Sequence, residues 1–247
     1  MKKLIALTLA LVLCLSVMAA TAEGYKLVEE GKFIYATSPD FPPFESTDDN
    51  DNVIGIEPDI IALICEQLGL TPEPYATDFD GALKAPAAGK ADAVVSGVTV
   101  REDRKLVFDF SIPYVTIRQG IVRKVGSDVT MDNLKDVVIG VQRATTGEIY
   151  AQEDFGEDHV VGYDKYSFAF QALVNGQVDC VLVDDMVGQA YVKRIPGLEM
   201  VETTYEPEEF AFGFDKGNTE LKEAFDEQLQ KLQDDGTIES IILSYNE

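Results

Sequence analysis

The sequence is poor in the residues that hold metals and cut bonds. Its 247 residues include one histidine, His159, and three cysteines, Cys14, Cys65 and Cys180, all far apart. Zinc sites draw their ligands from clustered Cys and His, so no metal is expected, and no cofactor signature stands out. There is no Gly-x-Ser-x-Gly and no Cys/His motif, so the common hydrolase nucleophiles are not expected either. Positive charge is scarce: 20 Lys and Arg stand against 44 Asp and Glu, for a formal net charge of −24. Such a surface repels phosphate backbones and excludes nucleic acid as a partner. An anionic small ligand would need a local basic site against that field. The single long apolar run, residues 4–18, falls short of the roughly 20 residues that span a bilayer.

What is present begins with an export signal. Lys2 and Lys3, the apolar run, and Ala20-Thr-Ala22 as a small-residue cleavage pattern read together as a secretory signal peptide over residues 1–22. The mature chain is therefore expected in the periplasm or on the outer face of the membrane. Removing the signal takes away two lysines and no acid, which moves the net charge from −24 to −26. Cys14 follows Leu13 inside the apolar run. A lipid-anchor cysteine follows a small residue at the end of such a run, so no anchor is expected. Cys65 falls in an apolar helical pattern and Cys180 in an apolar strand pattern. Export permits a disulfide, but the two read as separate buried thiols. His159 lies in an acidic turn and reads as a surface residue.

The remaining chain, 46% hydrophobic and 26% charged overall, suits a globular protein long enough for two lobes. Strand and helix patterns alternate, which argues an α/β fold with mostly parallel sheets flanked by helices. Residues 32–37 read as a strand. Pro39, Pro42 and Pro43 then force a loop. It carries Phe41 and Phe44, one for the core and one for a ligand. Pro58 in a first turn, apolar residues at helical spacing and Gly69 as a stop define a helix. A strand around 73–75, an Ala-rich helix over 81–89 broken at Pro86, and a strand over 93–95 follow. Beyond them, 137–141 and 179–183 read as strands, and 168–174 and 186–193 as helices. Residues 210–214 read as one strand returning to the first half. Asn218 is expected to cap the helix of Leu221, Phe225, Leu229 and Leu232. Gly236 ends that helix and Thr237 starts the last one. No repeat at a solenoid period is present.

The most informative stretch runs from Asp92 to Lys105. Its strand, Ala93-Val-Val95, ends in Ser96-Gly-Val-Thr99, two hydroxyls around a flexible backbone, and Arg104 follows. Ligands of open α/β sheets sit beyond the carboxyl ends of strands. A guanidinium there offers a planar fork of donors that suits a carboxylate. Charge alone reads Arg101-Glu-Asp-Arg-Lys105 as a solvated turn.

Several stretches carry a family resemblance together. They are Asp40-Phe-Pro-Pro-Phe-Glu45, Gly55-Ile-Glu-Pro-Asp59, Ser96-Gly-Val-Thr-Val-Arg-Glu-Asp-Arg104 and Phe110-Ser-Ile-Pro-Tyr114. In the second half stand Gly140-Val-Gln-Arg-Ala-Thr-Thr146 and Asn175-Gly-Gln-Val-Asp179 with Asp184. In order and spacing they resemble the extracellular solute-binding proteins of polar amino-acid ABC transporters, solute-binding protein family 3. The resemblance implies a two-lobe periplasmic-binding-protein fold of type II with two hinge strands. Lobe 1 would hold residues 23–116 and 209–247, and lobe 2 residues 117–208, with hinges near 114–118 and 208–212. A free L-amino acid would be captured between the lobes by hinge closure and delivered to a membrane permease by a monomer without cofactor.

The resemblance also assigns roles. Arg104 would grip the ligand α-carboxylate with Thr99, and Gly97 would offer its carbonyl to the α-ammonium. Asp184 would pair with that ammonium. Thr145 and Thr146 belong to the loop whose backbone donors reach the carboxylate at a helix start. Phe41 and Phe79 would sandwich the ligand side chain, and Ser38 and Gln142 would read it. Arg101 and Lys105 keep the solvated reading, and Asp185 reads as a helix cap. Two departures stand out. Ala144 occupies a position usually held by Gly. Ser38 stands where several relatives carry an Asp that reads a cationic or amide side chain, which weakens arginine, lysine or histidine as the ligand.

The rival reading is an exported enzyme on the same scaffold, resembling the cyclohexadienyl or arogenate dehydratases. It needs an acid and a base in the cleft, and Asp184 and Glu209 are the carboxylates available. A third reading is a sensory domain acting through a partner.

Overall fold

The computed structural model describes residues 24–246. The expected signal peptide and Cys14 lie outside the described residues. The first half of the chain opens with β1 (Lys32–Thr37), the short hairpin β2 (Ser46–Thr47) and β3 (Val53–Ile54), and helix α1 (Ile56–Leu68). Next come β4 (Thr71–Ala76), α2 (Phe79–Lys84), β5 (Ala93–Val94) and β6 (Phe108–Phe110). Strand β7 (Val115–Ile117) then leads into β8 (Gln119–Lys124). The middle of the chain contributes β9 (Ile139–Gln142), α3 (Thr146–Phe155), β10 (Val160–Tyr163) and α4 (Tyr166–Asn175). It continues with β11 (Cys180–Asp184), α5 (Asp185–Arg194) and β12 (Leu198–Glu202). The chain finishes with β13 (Glu208–Phe210), β14 (Gly213–Asp215), α6 (Thr219–Asp234) and α7 (Thr237–Asn246).

Two five-stranded sheets share one plan. Their orders are β4-β1-β5-β14-β6 and β10-β9-β11-β8-β12. In each sheet the first three strands pair in parallel, and the fourth is antiparallel to both its neighbours. Four strands of each five therefore run the same way, as the alternation of strands and helices predicts. The odd strand of each sheet is the one reached from the chain's crossing between sheets. At that crossing β7 and β13 pair antiparallel, Glu208 opposite Ile117 and Phe210 opposite Val115. They form a two-stranded ladder outside both large sheets, and it coincides with the segments expected as hinges.

Helix α1 follows its sequence signals. Ile56, Ile60, Ile61 and Ile64 are fully buried, and Gly69 ends the helix in the left-handed conformation with φ 67°. The helix start is locked to the proline loop at Gly55. Its φ is 142°, and a Cβ there would lie 2.2 Å from the Phe44 carbonyl oxygen. Only glycine lets the loop backbone come so close. Phe44 is the core member of the loop's pair, fully buried against Phe210 with ring centroids 5.2 Å apart.

Three expectations change. Residues 210–214 form two strands rather than one. After Phe210 the chain exchanges partners: Ala211 donates to the Val98 carbonyl and the Phe212 amide to Ser111 Oγ. Gly213 then joins β5 and β6. Asn218 does not cap α6 with its side chain. Its Nδ2 donates instead to the Lys26 carbonyl at 3.0 Å, tying down the N-terminal segment. The helix expected over 81–89 begins earlier, at Phe79, because Asp78 caps it by accepting from the Gly81 amide. Cys65 and Cys180 are free and buried, as read from their patterns. His159 closes a single 3-10 turn and is half-buried.

Candidate functional site

The carboxyl ends of β1, β5, β9 and β11 converge from the two sheets on one small enclosed cavity. All ten residues singled out from the sequence border it. Ser38, Phe41, Phe79, Gly97, Thr99 and Arg104 come from the first sheet's side, and Gln142, Thr145, Thr146 and Asp184 from the second's. Ser96 completes the lining.

Arg104 is 7% exposed and sits in a short 3-10 turn. Its Nη1 donates to the Thr99 carbonyl at 3.2 Å, and its Nη2 donates across the cleft to the Ala144 carbonyl at 2.9 Å. The guanidinium carbon lies 5.6 Å from the Phe79 ring centroid, a cation–π arrangement. None of the ion pairs among the described residues includes Arg104. Burial, then repulsion from Arg101, pushes it down to about 10, so it remains charged at neutral pH. A guanidinium has five N–H donors, and two neutral carbonyls leave its charge available to an anion. Lys105 is exposed and pairs with Glu102, as the solvated reading holds; Arg101 pairs with Asp103 but is half-buried, 6.0 Å from the Tyr150 ring centroid.

Asp184 faces the same cavity from the end of β11. It is 4% exposed, and its Oδ1 accepts from Gln119 Nε2 at 2.6 Å. Burial first, then the nearby Glu208, pushes its carboxyl well above the usual carboxylate range. A buried acid of this kind gains from a cationic partner. Asp185, just outside, accepts from the Met186 amide at the start of α5.

The hydroxyls are already committed in part. Thr145 caps α3 by accepting from the Glu148 amide, and its own proton goes to the Gln142 carbonyl. Thr99 Oγ1 donates to Glu208 Oε2 at 2.9 Å and lies 3.4 Å from Thr146 Oγ1. Gln142 donates to the Asp164 carbonyl. Ser38 Oγ is buried with no protein partner. Gly97 has φ +55°, and a Cβ there would lie 2.4 Å from Phe41 Cε1, so a bare backbone lets Phe41 pack against the strand end. Phe41 also stacks on Tyr166, centroids 5.7 Å apart. Asp40 ties the same loop to the other side by accepting from the Ser167 amide and, through its carbonyl, from Tyr191 OH.

The motifs did not single out Gln119, Glu208 or Tyr166. Gln119 is 1% exposed and links Asp184 to Thr146. Its signal was a polar residue inside a β-rich run. Glu208, not Glu209, turns inward. Glu209 is exposed and outside the cavity, because neighbouring strand residues face opposite ways. Only one of the two carboxylates weighed for the dehydratase reading therefore borders the cavity.

Comparison with known proteins gives one consistent result. The sequence pattern described as "Bacterial extracellular solute-binding proteins, family 3" matches residues 33–247. The chain is 30% identical to the putative ABC transporter arginine-binding protein 2 of Escherichia coli K12, over 98% of this chain and 97% of that one. It is 28% identical to the L-cystine-binding protein TcyJ of the same organism, over 95% and 91%. Among solved structures, an ancestral arginine-binding protein bound to glutamine superposes with a TM-score of 0.83 at 36% identity. That match covers 88% of this chain and 98% of that one.

Proposed function

Because the chain belongs to the bacterial extracellular solute-binding proteins of family 3, we propose that its cavity holds a free L-amino acid with an uncharged polar side chain. The protein has the two-lobe periplasmic-binding-protein fold and serves an amino-acid ABC transporter as its solute-binding component. Capture by closure of two lobes about the β7–β13 ladder follows from that fold. We assign residues 23–116 and 209–247 to one lobe and 117–208 to the other. Residues 1–22 are the signal peptide, and the mature protein meets the permease outside the cytoplasm as a monomer.

The observation that carries the ligand reading is the charge content of the cavity wall. It has one guanidinium, Arg104, from one side and one carboxyl, Asp184, from the other. A zwitterionic amino acid satisfies both. Its α-carboxylate takes the remaining donors of Arg104 and the amides at the start of α3, and its α-ammonium takes Asp184 and the Gly97 carbonyl. The side chain then lies between Phe41 and Phe79 and meets Ser38 and Gln142. No third charge lines the wall, so a cationic side chain would lose water without an ionic partner. L-Glutamine suits this wall, and glutamine is the ligand named for one of the similar structures.

Calorimetry against the free amino acids tests the reading. Glutamine or another neutral polar amino acid should bind, and Arg104→Ala should abolish the heat. Binding by none of them, or unchanged binding in Arg104→Ala, sinks it. Mass spectrometry of the small molecule released on denaturing the purified protein would identify the ligand directly.

A further inference from the structure

Directly beneath the cavity lies a pair of carboxyl groups that the ligand reading leaves unused. Glu45, which follows the proline loop, and Glu57, on the first turn of α1, are both fully buried. Glu45 Oε1 accepts from Ser96 Oγ at 2.6 Å, and Ser96 Oγ in turn accepts from the Ser38 amide at 3.0 Å. Glu57 Oε1 accepts from Tyr114 OH at 2.6 Å and from the Gly97 amide at 3.0 Å. Glu45 Oε2 is buried with no hydrogen-bond partner, the Glu57 amide donates to the Phe44 carbonyl next to Glu45 at 3.1 Å, and no ion pair among the described residues includes either acid. Two buried acids side by side, with one oxygen lacking any donor and no cation to offset them, call for a proton between them. Ser38, Ser96 and Gly97, the residues fixed by the pair, all border the cavity.

We propose that Glu45 and Glu57 share one proton and act as positioning residues for the ammonium end of the cleft. Glu45 takes the Ser96 hydroxyl proton, and the Ser38 amide fills one lone pair of that oxygen. Ser96 is thereby fixed as a hydrogen-bond acceptor in the cavity wall. An acceptor there, with Asp184 opposite, is the polarity that an ammonium needs. Loss of the shared proton puts two buried like charges in contact and drives the carboxylates apart, which disturbs Ser96 and Gly97 together.

The surroundings favour retention of the proton. Tyr114 bonds to Glu57, Tyr35 of β1 faces both acids, and Asp184 bears on Glu45 from the second sheet. None of these can neutralise a carboxylate, and no cation is among the groups acting on either acid. Burial, then Glu57, pushes Glu45 well above the usual range, and burial pushes Glu57 up as well. The two tyrosines are themselves pushed upward by burial.

The role at the ligand rests on the amino-acid reading; the shared proton does not. Two measurements separate them. Infrared spectra of the full-length mature, ligand-free protein at neutral pH should contain a protonated-carboxyl stretch that weakens in both Glu45→Gln and Glu57→Gln. A spectrum unchanged by either substitution overturns the shared proton. Calorimetry with L-glutamine, or with the tightest binder of the amino-acid panel, then compares each protein at neutral and alkaline pH. The ligand's own ammonium titrates alike for all. Above the pair's second ionisation the wild-type Kd should rise by up to about tenfold more per pH unit than that of Glu45→Gln, which has no proton to lose. Glu45→Ala, which leaves Ser96 without its acceptor, should bind more weakly at every pH, and Glu45→Gln should recover part of the loss. Identical pH profiles for wild type and Glu45→Gln, with the infrared band present, overturn the positioning role. Failure of every amino acid to bind overturns the ligand reading and the positioning role with it, while the infrared result still decides the shared proton.

Discussion

Arg104 reaches across the cleft to the carbonyl of Ala144, 2.9 Å away, and Ala144 holds that carbonyl in place with φ 65°. The guanidinium and a left-handed residue of the opposite side are thus one structural unit. Its amide end is fixed as well, because the Ala144 N–H donates to Glu148 Oε2 at 2.7 Å.

Arg104→Lys tests the planar fork. A lysine keeps the charge but cannot hold Thr99, Ala144 and a carboxylate at once. Calorimetry should find the amino acid bound more weakly by about 10- to 100-fold, the scale of one lost charge-assisted bond. Equal affinity would return Arg104 to a structural role.

Ala144→Gly tests the strain. A Cβ in the left-handed region costs on the order of 1 kcal/mol relative to glycine. Urea unfolding of the ligand-free protein should give a stability gain of about 0.5–1 kcal/mol in the glycine variant. A loss would mean that the lower chain entropy of alanine outweighs the strain at this position.

Ser38→Asp tests side-chain selection. Ser38 Oγ is buried at the cavity wall without a partner, and a carboxylate there would add a second anion to the lining. Specificity is a difference of two affinities, so the ratio of L-arginine to L-glutamine binding should rise by about tenfold or more through a new charged contact. An unchanged ratio would place the side-chain subsite elsewhere.

The acidity of the buried carboxyls sets a pH dependence of stability. Glu45, Glu57, Asp92 and Asp184 are all raised in the folded protein, with burial as the largest cause for each. An acid raised on folding binds its proton more tightly in the native state, so its stabilisation is complete below its unfolded value and is lost as pH rises through the folded one. Asp103 and Asp109 are held low, and their contribution is lost on acidification; Asp103 is exposed and Asp109 half-buried beside an exposed lysine, so it is small. Urea midpoints of the ligand-free protein should therefore be higher at mildly acidic pH than at mildly alkaline pH. Asp184→Asn should flatten part of that slope while weakening ligand binding. A midpoint that rises steadily toward alkaline pH would contradict the raised values.

Local chemistry made much of this legible in the sequence. Proline and glycine positions marked the loop at Phe41 and the end of α1, because their backbone limits act wherever they occur. The order of motifs brought ten residues to one cavity wall, since strand ends in α/β sheets point to a common edge. The sequence also separated Arg104 from Arg101 and Lys105 once the motif was considered as a whole.

Tertiary structure decided what depends on partners distant in the chain. Asn218 has the chemistry of a cap, yet Lys26, 192 residues away, takes its amide. The break after Phe210 comes from two competing ladders that no local pattern contains. Glu208 rather than Glu209 turns toward Thr99 because strand facing is set by register. Glu45 and Glu57 stand in two separate motifs with no role legible for either, and only the packing of α1 against the proline loop buries them together. The sequence thus determined which residues could make a site for a zwitterion, while burial and register, which are properties of the whole fold, decided which carboxylates face the cavity and which lie buried beneath it.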